Sequence, residues 1–170
     1  MRHLILAALF LPACLTAQEG IPFSQHGAVL QVMGFDTISI QYNRPVARGR
    51  RLFGHLVPWD QVWHPGADSA TTITFGRDVL VEGKPLAAGS YTLWTVPDTA
   101  RWTIIFSRAL HVFHTPYPGD RYDVLRVNVT PQTGDYLEVL SFYFPVVGPD
   151  SATLRLHWGS TFVPIRLHAP

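Results

Sequence analysis

Thr37-Ile38-Ser39-Ile40-Gln41-Tyr42 alternates polar and apolar side chains without a break. A period of two puts Ile38, Ile40 and Tyr42 on one face of an extended chain and Thr37, Ser39 and Gln41 on the other, the pattern of a half-buried strand. Trp102, Ile104 and Phe106 repeat it. Working outward, runs rich in β-branched and aromatic residues predict further strands at 29–33, 71–75, 79–81, 91–96, 122–129, 136–144, 153–158 and 163–167. Turn residues separate them: Gly34, Gly76, Glu82-Gly83, Ala88-Gly89, Pro97-Asp98, Thr133-Gly134-Asp135, Gly148-Pro149-Asp150 and Gly159. No stretch of helical length carries an apolar stripe at the helical period. About nine or ten short strands joined by turns predict an all-β fold, a single antiparallel β-sandwich.

The N-terminus follows a different grammar. Arg2 and His3 precede the apolar run 4–11, then Pro12-Ala13-Cys14-Leu15-Thr16-Ala17-Gln18. Charge, hydrophobe and small residues in that order form a secretory signal. The run falls short of the ~20 apolar residues that a membrane-spanning helix needs. The expectation is export: residues 1–17 removed after Ala17, 18–27 a tether, 28–170 the sandwich domain, in a periplasmic or other extracytoplasmic location. A competing route treats Leu11-Pro12-Ala13-Cys14 as a lipobox and anchors the chain through a lipid on Cys14. Proline fits that box poorly.

Cys14 is the single cysteine, so the domain has no disulfide, no thiolate metal ligand and no cysteine nucleophile. Stability has to come from a core. Of thirteen basic residues, Arg2 leaves with the signal and twelve face twelve acidic ones. That balance argues against nucleic acid as a partner. Lys84 is the single lysine, and the remaining cations are arginines.

Two irregular connections, 43–69 and 107–121, exceed the usual loop length of a compact domain. Their aromatic residues, Phe53, Trp59, Trp63, Phe113 and Tyr117, predict that they pack down on the sheets. The first connection concentrates Arg44, Arg48, Arg50 and Arg51. Arginines and aromatics are enriched at interfaces, which marks Arg44, Arg50, Arg51, Trp59, Trp63, His64 and Asp68 as candidate binding residues. The same residues have structural roles open to them. Tryptophans can plug the end of a sandwich, and arginines can bond backbone carbonyls or pair with Asp60 or Asp68.

His111-x-x-His114 is the nearest approach to a metal pair, with His55, His64 or Asp68 as a third ligand for zinc. The glutamate of a metal-hydrolase helix is missing from it. No serine stands in a nucleophile turn. Asp120 and Asp123 form a possible acid and base, but Asp123 is better placed to pair with Arg126 or Arg121. No cofactor is expected.

Tyr42-x-Arg44-Pro45, Gly49-Arg50, Phe53-Gly54, Val57-Pro58, Val62-Trp63, Gly66-Ala67 and Thr71-Thr72 resemble the family called domain of unknown function 2911. Gly83, Ala88-Gly89-x-Tyr91, Pro97, Trp102 to Phe106 and Asp123-Val124-Leu125-Arg126-Val127 extend the resemblance over nearly the whole domain. The chain departs from the family at His64, usually arginine, and at Asp68, usually asparagine. The resemblance implies an exported β-sandwich and assigns no catalytic residue.

Together these readings predict a noncatalytic binding or interaction module, an accessory subunit docking on a larger envelope or membrane complex. Binding of a small sugar, lipid or peptide is one alternative, and a zinc-assisted hydrolase is another. Peripheral membrane contact is compatible with the first reading.

Overall fold

A computed structural model describes residues 23–170. The signal segment, Cys14 and residues 18–22 of the expected tether lie outside the described residues. Ten strands follow in order: β1 (Gln25–Met33), β2 (Asp36–Arg44), β3 (Thr72–Phe75), β4 (Val79–Val81), β5 (Lys84–Leu86), β6 (Gly89–Val96), β7 (Trp102–Ser107), β8 (Asp123–Val129), β9 (Gln132–Val147) and β10 (Ser151–His168). One 3₁₀ turn, Asp120–Tyr122, is the only helical element among the described residues.

All pairings are antiparallel. Six strands form one sheet in the order β1-β2-β3-β6-β7-β8, four form the other as β5-β4-β10-β9, and neither closes into a barrel. The alternation that opened the sequence reading does its expected work: Ile38, Ile40 and Tyr42 are buried. With Ile73, Leu93 and Phe106 they join Leu140, Phe142, Leu154 and Trp158 of the smaller sheet in one core. Each such side chain contributes about 1.5–3 kcal/mol on leaving water.

The structure differs from the expectation at three places. β10 is one strand, where Gly159 was expected to break it in two. Gly159 has φ +60° and sits at a register shift against β9. A Cβ there would lie 2.8 Å from Leu52 Cδ1, so the glycine marks a bulge under the first long connection. β5 was missed because Pro85 discourages a strand reading. It pairs Val81 with Lys84 across Glu82-Gly83, both at positive φ, the geometry of a tight two-residue hairpin. β1 begins at Gln25, so the last three residues of the expected tether are strand. They pair with the far end of β2, Gln25 opposite Arg44.

Candidate functional site

The first long connection begins by crossing from one sheet to the other. Arg44, at the end of β2, donates from Nε to Leu140 O (3.2 Å) and from Nη2 to Ser141 Oγ (2.6 Å), both on β9. Tyr42 OH accepts from Phe142 N at 3.1 Å. Pro45 O accepts from Leu140 N, and Ala47 N donates to Glu138 O. Arg50 then bonds the carbonyls of Val46 and Ala47 at 2.6 and 2.9 Å. The tyrosine, arginine and proline that carry the family resemblance therefore seal the outer edge of β9. No salt bridge joins these arginines to Asp60 or Asp68. The described ion pairs are Arg126–Asp123, as the sequence suggested, and Arg166–Glu82.

Beyond this seal an aromatic plug closes one end of the sandwich. Phe53 lies 5.0 Å from Trp102, 5.9 Å from Trp63, 6.1 Å from Trp59 and 6.4 Å from Trp158, measured between ring centroids. Trp63 stacks on Trp158 at 6.2 Å, and its backbone exchanges hydrogen bonds with Thr95. Gly54 is required here: a Cβ would fall 2.3 Å from Trp59 Nε1.

The second long connection folds over the outer face of the larger sheet. Every residue from Tyr91 to Thr95 is buried, so β6 is covered on both faces. Trp94 is the centre of this outer layer, flanked by His64 at 5.4 Å and Tyr117 at 5.2 Å. The two connections meet there. Ala70 N donates to Val112 O, and His114 N to Asp68 O. The His114 ring lies 6.3 Å from that of His64, and its Nδ1 lies 3.0 Å from Asp68 O. Asp68 has φ +56°, a left-handed conformation that asparagine and aspartate tolerate best, which accounts for the residue types at this position. Its carboxylate receives Asn43 Nδ2 at 3.5 Å.

His64 is buried, and burial together with the neighbouring His114 lowers its pKa to about 3. Its Nε2 accepts the Thr71 backbone N–H. The neutral ring's proton therefore sits on Nδ1, which has no partner among the described residues. Nearby, Tyr117 donates to Asp123 at 2.6 Å, and burial with that bond pushes its pKa up to about 12.

Of the residues singled out from sequence, His64, Asp68 and His114 are brought together, and Arg44, Arg50, Trp59 and Trp63 are engaged in packing or backbone bonds. Arg51, His55 and His111 are exposed. Among the described residues no three histidine or acidic side chains converge as a metal site would require. The alternative zinc set of His111, His114 and His55 forms no such group among the described residues. No described helix is long and apolar enough to cross a membrane.

Sequence reasoning missed the edges. Two sheets have four outer edges, each an aggregation hazard unless guarded. β5 is guarded by brevity, Lys84 and Pro85. β8 carries the Arg126–Asp123 pair, and Lys84 Nζ covers its Arg126 carbonyl at 3.3 Å. β9 is sealed as described. β1 has nine residues with no lysine, arginine or carboxylate, no proline and an unbroken register with β2, and Gln31 Nε2 donates to the Val32 carbonyl at 2.7 Å. No described strand pairs with its outer side. Leu30 is 68 % exposed and Val32 52 %, and Phe35 at the following turn is 91 % exposed. An uncharged N-terminal run with weak alternation was the available signal.

No curated protein and no solved structure matches the chain. A family model described as "Protein of unknown function (DUF2911)" matches residues 24–167. The match runs from just before β1 to the end of β10, and the chain belongs to the DUF2911 family.

Proposed function

We propose that this protein is a noncatalytic interaction module that docks on a larger envelope or membrane protein complex by accepting an extended segment of its partner along β1. The observation that carries the reading is the contrast among the four edges: three are guarded by charge, proline or the first connection, while no described strand pairs with the outer side of β1 and residues 26–33 hold no lysine, arginine, carboxylate or proline. A strand added to a free edge gains main-chain hydrogen bonds for affinity, and side chains on alternate positions supply specificity. Leu30, Val32 and Phe35 offer the apolar contact such a segment needs to exclude water. Export belongs to the same reading and rests on the signal grammar of residues 1–18.

The test is recovery of the native protein from its own membranes in mild detergent, with mass spectrometry of its N-terminus and companions. The reading expects a stoichiometric companion and an N-terminus at Gln18. A Leu30→Lys, Val32→Lys double variant should fold with an unchanged melting curve and lose that companion. A lone protein, or a companion retained by the lysine variant, contradicts the reading.

A further inference from the structure

Between the edges of β1 and β9 the sandwich stands open. Two grooves of about 490 Å³ each run along this seam and share Arg44 as their common wall. Gly27 makes the sharing possible. A Cβ on it would meet Arg44 Cδ at 2.5 Å, so its absence lets the arginine stem cross β1 into the seam. No aspartate or glutamate lines either groove.

Among the described residues the arginines in this seam have no ion-pair partner. Arg44 spends Nε and Nη2 on Leu140 O and Ser141 Oγ, and its Nη1 has no hydrogen-bond partner among the described residues. Arg48 lines the second groove, with its guanidinium 3.4 Å above the Phe23 ring and a long 3.5 Å bond to Phe23 O. Neither forms an ion pair with a described carboxylate. The acidic group beside them, Glu138, is held by the Arg48 main-chain N–H and by Tyr136 OH.

A strand laid on the outer edge of β1 would turn alternate side chains into this seam, beside Gly27 and Val29. The others would lie along Ala28, Leu30 and Val32. Guanidinium groups are matched by carboxylates, which they bind through charge-assisted, paired hydrogen bonds. We infer that the segment docked on β1 is an extended, otherwise apolar strand that sets one carboxylate against Arg44 and Arg48. The inference rests on the docking reading above.

The probe is a pair of blocked nonapeptides of alternating threonine and valine, one with a central glutamate and one with a central glutamine, titrated by fluorescence anisotropy. The glutamate peptide should bind the protein about tenfold tighter than the glutamine peptide at low salt, the order expected of one charge-assisted contact. That preference should shrink at high salt and in Arg48→Gln, and vanish in Arg44→Gln. Arg48 is exposed, so its variant keeps the test open if Arg44→Gln fails to fold. Equal binding of the two peptides overturns the carboxylate and leaves strand docking standing. Failure of both peptides, while Leu30→Lys, Val32→Lys still loses the native companion, overturns the inference alone. Failure of both with no effect of the lysines ends both readings.

Discussion

β1 and β9 face each other across the same seam and are treated in opposite ways. β9 is bulged, and the chain commits Tyr42, Arg44 and Pro45 to capping its amides and carbonyls. β1 keeps an unbroken register with β2, has no lysine, arginine or carboxylate, and pairs with no described strand on its outer side. The difference teaches that the family's most recognisable residues, Tyr42, Arg44 and Pro45, are spent on a seal along β9, while β1 carries no comparable motif. The loop aromatics Phe53 and Trp63 mark packing here.

If the seal and its plug are structural, breaking them costs stability first. Trp63→Ala removes a ring packed on Phe53, Trp102 and Trp158, and should cost about 3–5 kcal/mol in chemical denaturation. A loss under about 1 kcal/mol would return Trp63 to the surface. Arg44→Ala should cost about 2 kcal/mol, because two charge-assisted bonds are lost and Leu140 O is left bare. The same variant should speed hydrogen exchange at Leu140 and Phe142 N–H, while β1 exchange stays as in the parent.

His64 sharpens the comparison through pH. Burial, with the neighbouring His114, keeps its folded pKa at about 3 against the ordinary histidine value of 6.5. Between these values the unfolded chain binds more protons, so stability is full above pH 6.5 and falls as the solution is acidified. The loss should reach roughly 2 kcal/mol by pH 5. His64→Gln should flatten that slope. An unchanged slope would mean that His64 is not the group responsible. The smallest effect belongs to the bare edge: Leu30→Lys, Val32→Lys should change stability by no more than about 0.5 kcal/mol, since both side chains already face water.

Much of the fold was legible from local pattern. Alternation at Ile38, Ile40 and Tyr42, and again at Trp102, Ile104 and Phe106, marks half-buried strands because inward and outward faces alternate residue by residue. Gly159 and Pro85 misled for a related reason. Each is a turn or breaker signal by itself, and only its pairing partners make it a bulge or a short edge strand. The site was less legible. His64 and His114 stand in different connections and meet only through folding onto Trp94. The run 91–96 did hold a usable signal, since large apolar residues on both faces, Tyr91 and Leu93 on one and Trp94 and Val96 on the other, suit a strand covered on both sides. Which strand ends a sheet depends on non-local pairing order, so the exposure of β1 could not be read from Gln25–Met33 alone.

The most direct measurement is hydrogen exchange along Gln25–Met33 in the free protein and in the complex recovered from native membranes. The docking account predicts that, in the complex, the alternate β1 amides pointing away from β2 slow markedly, while exchange along β9 is unchanged. Unchanged β1 exchange, with new protection confined to the two long connections, would contradict it.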